Sequence, residues 1–502
     1  MMGHAGIRAT AILSDRLTFP IFAVSCAVAH MAVFLFSRHL VTGSSVYYFA
    51  FAASACFMLT TAFRAQLFSA ICLGVFLWLG LWIKFVVHLY NPAVLVEPVG
   101  QFDGSIGQYD QVMLIGTAAC LAVGLVFAAA IRLGLKTIDL QTTLPSHASR
   151  FRLVHFAVWI GVLLVIAFVS VLNVHLGLVR SGLIAQNVLP LKGNAMFSQF
   201  LYTGYFFLIA YFLERDLKAG RTMLPGLLAA VIGGALVSIS LLSRGMVVFH
   251  SMAVLLAVLV LCLRGVPTIR WPMPIIMAAL SVASLFVTID AVEVQRQVAF
   301  IEQGADIEQG VDPGEFLSET AGMFSAERTT GTAGAILNLA VGRWLGTEGT
   351  MVATGHSDRS LALLAEMMTE MPEVGVPSAY QYIAGSHYTK MTGFQFSTLP
   401  GPAGVFYLGG SLGMVFLGLG CLALFAALYE YLAARATGNI FATAFVGVTL
   451  ANMIAQFGIA PVNLLKALFT LTLLVFVLFV LRRLSLRSAV RNTEISPVRM
   501  NL

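Results

Sequence analysis

Four groups of residues have the types and spacing to do chemistry. Lys84 and His88 lie four apart, one helical turn, and so share a helix face. They serve either as a snorkelling pair at a membrane interface or as part of a polar site. Arg180 and Lys192 share a short loop with Gly182, Asn187 and Gly193, a composition that suits an anion-binding loop or a solvated one. Arg244 stands in Ser243-Arg244-Gly245 between two apolar runs, where the short connections fix its place. The fourth group is Arg343-Trp344-Leu345-Gly346-Thr347-Glu348-Gly349, followed by His356, Asp358 and Arg359, then Tyr380, Tyr382, His387, Tyr388 and Lys390. Arginine forks match phosphate oxygens. A carboxylate or imidazole takes a proton, and aromatic faces beside polar donors suit sugar rings.

The elements that position these groups follow from composition. Of 502 residues 59% are hydrophobic and 10% charged, against about a quarter charged in soluble domains. Mean hydropathy is +0.90. Low-charge blocks of about twenty residues recur, the length that crosses a hydrocarbon core as helix. The reading is all-α and polytopic. Its spans are Phe19–Phe36, Val46–Thr61, Leu67–Leu89, Gln111–Ile131, Leu153–Val174, Phe197–Leu213, Met223–Leu242, Met246–Leu263, Trp271–Ile289, Ala403–Phe425, Ile440–Ile459 and Leu464–Leu481. That divides the chain into 1–289 with helices 1 to 9, a large periplasmic loop over 290–402, and 403–502 with helices 10 to 12 and a basic tail. Phe19–Phe36 is longer than a signal-peptide core and lacks a small-residue cleavage site after it, so it is expected to be retained.

Arg482, Arg483, Arg487, Arg491 and Arg499 in the tail, against no lysine or arginine in Tyr90–Asp110, predict both termini in the cytoplasm. The large loop then lies outside it and is expected to be partly helical, since Ser360–Met371 carries apolar residues at helical spacing. Gly331–Val341 is small and apolar, and Gln303–Gly314 is acidic and turn-rich. Gly409 and Gly413, four apart, predict close packing of the tenth span.

Several classes are excluded. The net charge of +6 comes without a basic, aromatic-interleaved run, so no nucleic-acid partner is expected. Cys26, Cys56, Cys72, Cys120, Cys262 and Cys421 all fall in spans, which argues against a disulfide framework or zinc cluster. There is no phosphate-binding glycine loop, zincin helix or Asp-x-Asp pair, so no metal and no cofactor are expected. Chemistry outside the cytoplasm, away from nucleotides, calls for a donor delivered by the membrane.

The layout of spans, the late loop, the Ser243-Arg244-Gly245 turn, the Arg343–Gly349 segment and Thr398-Leu399-Pro400-Gly401-Pro402 together resemble the bacterial polysaccharide repeat-unit polymerases of the O-antigen type. These are related to the O-antigen ligase-like membrane glycosyltransferases. The resemblance covers most of the chain in layout, on short motifs. It implies a metal-independent glycosyltransferase of exopolysaccharide or O-antigen biosynthesis in the bacterial inner membrane. The implied substrate is an undecaprenyl-diphosphate-linked glycan, and a chain-length regulator is a partner to expect. Arginines of the third and fifth outer loops are functional there and are followed by glycine after a fixed gap; Arg180 and Arg343 occupy those loops, but their spacing to Gly193 and Gly355 departs from the pattern. On this reading Arg180, Lys192, Arg244, Arg343, Lys84, His88, Trp344 and Tyr388 bind substrate, and Glu348, His356 or His387 is the base. A ligase that moves finished glycan to an acceptor, and a transporter or flippase, are the alternatives.

Overall fold

In a computed structural model of the chain, residues 18–95, 97–137, 152–183, 185–243, 245–266, 269–304, 341, 344–371, 376–386, 400–457 and 461–494 are described. They form helices and no β-strand. Among them ten helices are long and apolar enough to cross a membrane, and Leu224–Ser240 and Ile440–Ala455 are shorter apolar helices packed with them. The protein is an all-α, multi-pass membrane protein, as its composition predicts.

In chain order the helices are α1 (Thr18–Ser37), α2 (Ser45–Ala65), α3 (Phe68–Tyr90), α4 (Ile106–Arg132), α5 (Arg152–Leu176), α6 (Pro190–Lys218), α7 (Leu224–Ser240), α8 (Gly245–Leu263) and α9 (Pro272–Gly304). Four short helices follow: α10 (Thr347–Gly355), α11 (Leu361–Thr369), α12 (Ala379–Ala384) and α13 (Gly401–Tyr407). Then come α14 (Leu412–Thr437), α15 (Ile440–Ala455) and α16 (Pro461–Glu494). Helices α3 and α8 are central, with α15 packed against both, whereas α1, α9 and α16 bury little of themselves and form the rim. The end of the bundle holding Phe68, Arg435 and Arg482 is called the tail side. The opposite end, with Tyr90, the 91–105 loop and α11 and α12, is called the cap side.

The placement of α3 is set at its first turn. The first backbone N–H groups of a helix lack partners inside it and attract negative charge. Glu430 of α14, fully buried, accepts from Phe68 N at 2.9 Å and Ser69 N at 2.6 Å. Its carboxylate also accepts from the Thr137 hydroxyl. This clamp joins α14 to α3 on the tail side and fixes the height of everything further along α3.

The expected tenth span, Ala403–Phe425, is two pieces. Gly401–Tyr407 is a short helix buried in the bundle, and the chain turns at Leu408–Ser411 before Leu412–Thr437 crosses. Ser411 caps the new helix by accepting from Met414 N. Gly409 lies against Leu364, as close packing requires, but a Cβ added at Gly413 would meet only Ser411 Oγ, at 3.6 Å. Gly418 packs on the Phe406 ring, and Gly401 and Gly404 pack directly on backbone. The ninth span also runs further than expected, to Gly304. In the large loop the helix expected at Ser360–Met371 is present as α11. The 305–314 and 331–340 stretches lie outside the described residues.

Candidate functional site

The site is built where α10 meets α3. Gly346 adopts φ +143°, a conformation closed to residues with a Cβ, and α10 starts immediately after it. Gly401, at φ +69°, packs its backbone on Gly346. Helices α10 and α13 therefore begin side by side and run parallel, with Gly349 against Pro400 and Gly404 against Gly349. Residues 347–354 and 401–407 are all buried. Gly355, at the far end of α10, reaches Gln101 and Phe102 of the cap-side loop. The two short helices thus enter the bundle from the cap side and start at the level of Gly80, near the middle of α3.

There α3 is widened into a π-helix over Trp78–Ile83, an irregularity common at functional positions. The Thr347 hydroxyl donates to Gly80 O at 2.7 Å, and Gly80 itself leaves room for the Leu345 carbonyl. One turn on, Lys84 forms an ion pair with Glu348. Lys84 Nζ also donates to Trp344 O at 2.9 Å. The side chains are 1% and 4% exposed, so this is a dry pair. Lys84 is six residues from the cap-side end of α3, about 9 Å at 1.5 Å per residue. Glu348 stands in the first turn of α10, where a negative charge complements the helix dipole.

Around the pair is a polar shell. His88, one turn above Lys84, is hydrogen-bonded through Nε2 to Tyr109 OH at 3.2 Å, with the rings nearly parallel. Tyr380 of α12 is buried, and burial pushes its phenol well above the ordinary range, with the Glu348 and Glu97 carboxylates adding to the effect. It is therefore a neutral O–H group. The roof is tied down by Gly100 N donating to Ala384 O at 3.1 Å and by a capping box between Ser378 and Gln381 at the start of α12. Arg359 stacks on Tyr407 at 4.9 Å, and both donate to Gln111 Oε1.

The structure brings together Lys84, Glu348 and the Trp344 backbone, with His88 next above them. His356 is at the other end of α10, eight residues or about 12 Å away along the axis, and half-buried. Lys192 lies in the first turn of α6, and Arg180 lies in the separate loop between α5 and α6. There Ser181 N donates to Leu241 O, so this loop abuts the turn that holds Ser243. Arg244, Arg343, His387 and Tyr388 lie outside the described residues. Of the two readings of Lys84, a snorkelling side chain or part of a polar site, the structure shows a buried one, and Glu348 takes it as its partner. Sequence reasoning singled out Thr347 and Tyr380 but missed Tyr109 and Glu97; the signal available was the density of glycines at Gly346, Gly349, Gly355, Gly401 and Gly404.

Among the described residues one other cluster has metal-ligand types. Cys26 Sγ, His30 Nδ1 and Cys56 Sγ lie within 4.8 Å of one another. The Trp78 indole N–H donates to His30 Nε2 at 2.8 Å, so that nitrogen is an acceptor. A neutral imidazole must then carry its proton on Nδ1, which is 2.8 Å from Cys26 O and donates to it. A metal-bound histidine needs the opposite arrangement, with a free N–H pointing at an acceptor. The cluster is packed as a core feature, not as a ligand set.

No known protein family, curated protein or solved structure matches this chain. The site must be interpreted from its own chemistry.

Proposed function

We propose that the protein is a membrane glycosyltransferase of the bacterial inner membrane that extends glycans carried on undecaprenyl diphosphate. The cap side faces the periplasm and both termini face the cytoplasm. The observation that carries this reading is the Lys84–Glu348 pair, held about 9 Å below the cap-side end of α3 under a roof of loop and short helices. A lipid diphosphate presents its charge at this end of the bundle, and a base is needed beside it.

The reaction breaks the bond between the donor's anomeric carbon and the diphosphate oxygen. It forms a bond from that carbon to an acceptor hydroxyl oxygen. The leaving diphosphate gains negative charge, which a pre-placed cation stabilises; the hydroxyl proton passes to a base. Lys84 serves the first task and Glu348 the second. In the resting protein each neutralises the other. An arriving diphosphate competes for Lys84, and a carboxylate left in a dry site without its cation favours taking a proton. Arg244 and Arg343 remain the arginines assigned to the carrier phosphates, Tyr388 to the substrate, and His356 and His387 remain competing bases; Arg180 and Lys192, apart from the Lys84–Glu348 pair, take no part in this step.

A second reading has one observation in its favour. Transporters use discontinuous helices whose first turns meet near the bilayer midplane, and α10 and α13 begin level with Gly80. The ion pair, however, lies above that level, nearer the cap side. Deleting the chain from its host and profiling carrier-linked glycans separates the readings. Loss of a polymerase leaves single repeat units on the carrier, exposed to the periplasm. Loss of a ligase leaves long carrier-linked polymer, and loss of a flippase leaves single units confined to the cytoplasmic leaflet. A reporter near Arg487 reading periplasmic would overturn the orientation.

A further inference from the structure

The loop after α5 is stapled by hydrogen bonds to the first turns of α6, and the tip they form is apolar. Asn194 accepts from Leu189 N at 2.7 Å and donates to Leu178 O at 2.9 Å and Asn187 O at 2.7 Å. Asn187 in turn donates to Leu176 O at 2.7 Å, and Gln186 N donates to Gly177 O. Against that staple, Leu191 and Lys192 both adopt left-handed backbone, at φ 56° and 58°. Consecutive non-glycine residues in this region are strained, and such strain persists only where the surroundings enforce it. A glycine would relieve it, yet a leucine occupies the position and projects outward, 95% exposed.

Val188, at 85%, and Met196, at 71%, flank it. Three large apolar side chains on a stapled tip would be unfavourable in water. The tip continues a lipid-facing stripe on α5, formed by Phe168, Val171 and Val174, all exposed. Arg180 stands at the top of that stripe, donating to Val174 O and Gln186 Oε1. Lys192 is exposed beside Leu191. No Asp or Glu occurs between Gly177 and Met196.

We propose that this loop is a lipid anchor. Val188, Leu191 and Met196 enter the acyl region of the cap-side leaflet, and Lys192 and Arg180 engage the phosphates of its phospholipid headgroups. Apolar side chains below and snorkelling cations above are the arrangement an interface favours. The anchor holds α5 and α6 at a set depth beside the turn at Ser243. It depends on the chain spanning a membrane, not on the glycosyltransferase reading.

The test places an environment-sensitive fluorophore at Leu191→Cys in a Cys421→Ser background, in full-length protein reconstituted in phosphatidylethanolamine–phosphatidylglycerol nanodiscs. The Cys421→Ser protein labelled in parallel gives the background. Acyl-chain nitroxide lipids are expected to quench the probe several-fold more than iodide in solution does. Stronger quenching by iodide would overturn the proposal, because the tip would then be in water and free for a protein partner. If the Leu191 variant does not fold, the same label at Met196→Cys, in right-handed helix, decides with the same two outcomes.

Discussion

Replacing Lys84 with methionine is expected to be the most damaging single change in the protein. It leaves the Glu348 carboxyl without its cation in a site that is 4% exposed, where it must bear an unpaired charge or take up a proton. Removing one partner of a buried pair costs about 3–5 kcal/mol, a large share of the stability of an ordinary domain. Thermal unfolding in detergent should show a large drop, or the protein should fail to accumulate. The double variant Lys84→Met/Glu348→Leu is expected to recover most of that stability, because a well-packed apolar pair replaces a dry ionic one at little net cost. It should nonetheless be inactive in glycan extension, since neither the cation nor the base is present. Wild-type stability in the single variant would mean the pair is wetter than its burial implies. Full activity in the double variant would reduce the pair to a clamp on α10.

The second large effect is expected at the glycine contact between α10 and α13. A methyl group added at Gly349 would collide with the Pro400 carbonyl, and Gly404, one turn on in α13, is also packed on the Gly349 backbone. Two terms oppose each other. Alanine gains up to about 1 kcal/mol of helix propensity over glycine. Overpacking costs about 1–3 kcal/mol when flexible side chains can yield, and more against backbone. The clash prevails, so Gly349→Ala should destabilise the protein and separate α10 from α13. Gly413→Ala is the control. It is on the exposed surface of α14, where an added Cβ would meet nothing closer than Ser411 Oγ at 3.6 Å, so only the propensity gain remains. Equal stability of the two variants would contradict the packing derived for the short helices.

The bundle was legible in the sequence because its signal is strong: apolar blocks of membrane-crossing length need no tertiary information. The break in the tenth span was not legible. Gly401–Tyr407 carries no charge and runs straight into the apolar helix after it, and hydropathy cannot distinguish a short buried helix from the start of a span. What marks the difference is the turn at Leu408–Ser411, with Ser411 as cap. The chemistry was legible in part. Lys84, His88, Trp344 and Glu348 stand out as polar residues near membrane level, but their partnership joins positions far apart in sequence. The glycine at Gly80 and the π-helical turn that admits Thr347 have no local signature. The expectation that charges lie at one outer surface followed from counting loops. The structure instead draws a segment of the late loop down into the bundle, and Glu348 with it.

The most direct test of the central claim is chain extension by the purified protein. Carrier-linked glycan isolated from a host lacking the chain supplies the substrate, whatever its sugars. The protein in nanodiscs, with a chelator present, is expected to convert this material into a ladder of longer carrier-linked glycans with release of undecaprenyl diphosphate, and Lys84→Met/Glu348→Leu is expected to leave it unchanged. Wild-type protein that leaves the isolated glycan at its original length, while restoring polymer when returned to the host, would contradict the account and place the bond-forming step in another protein.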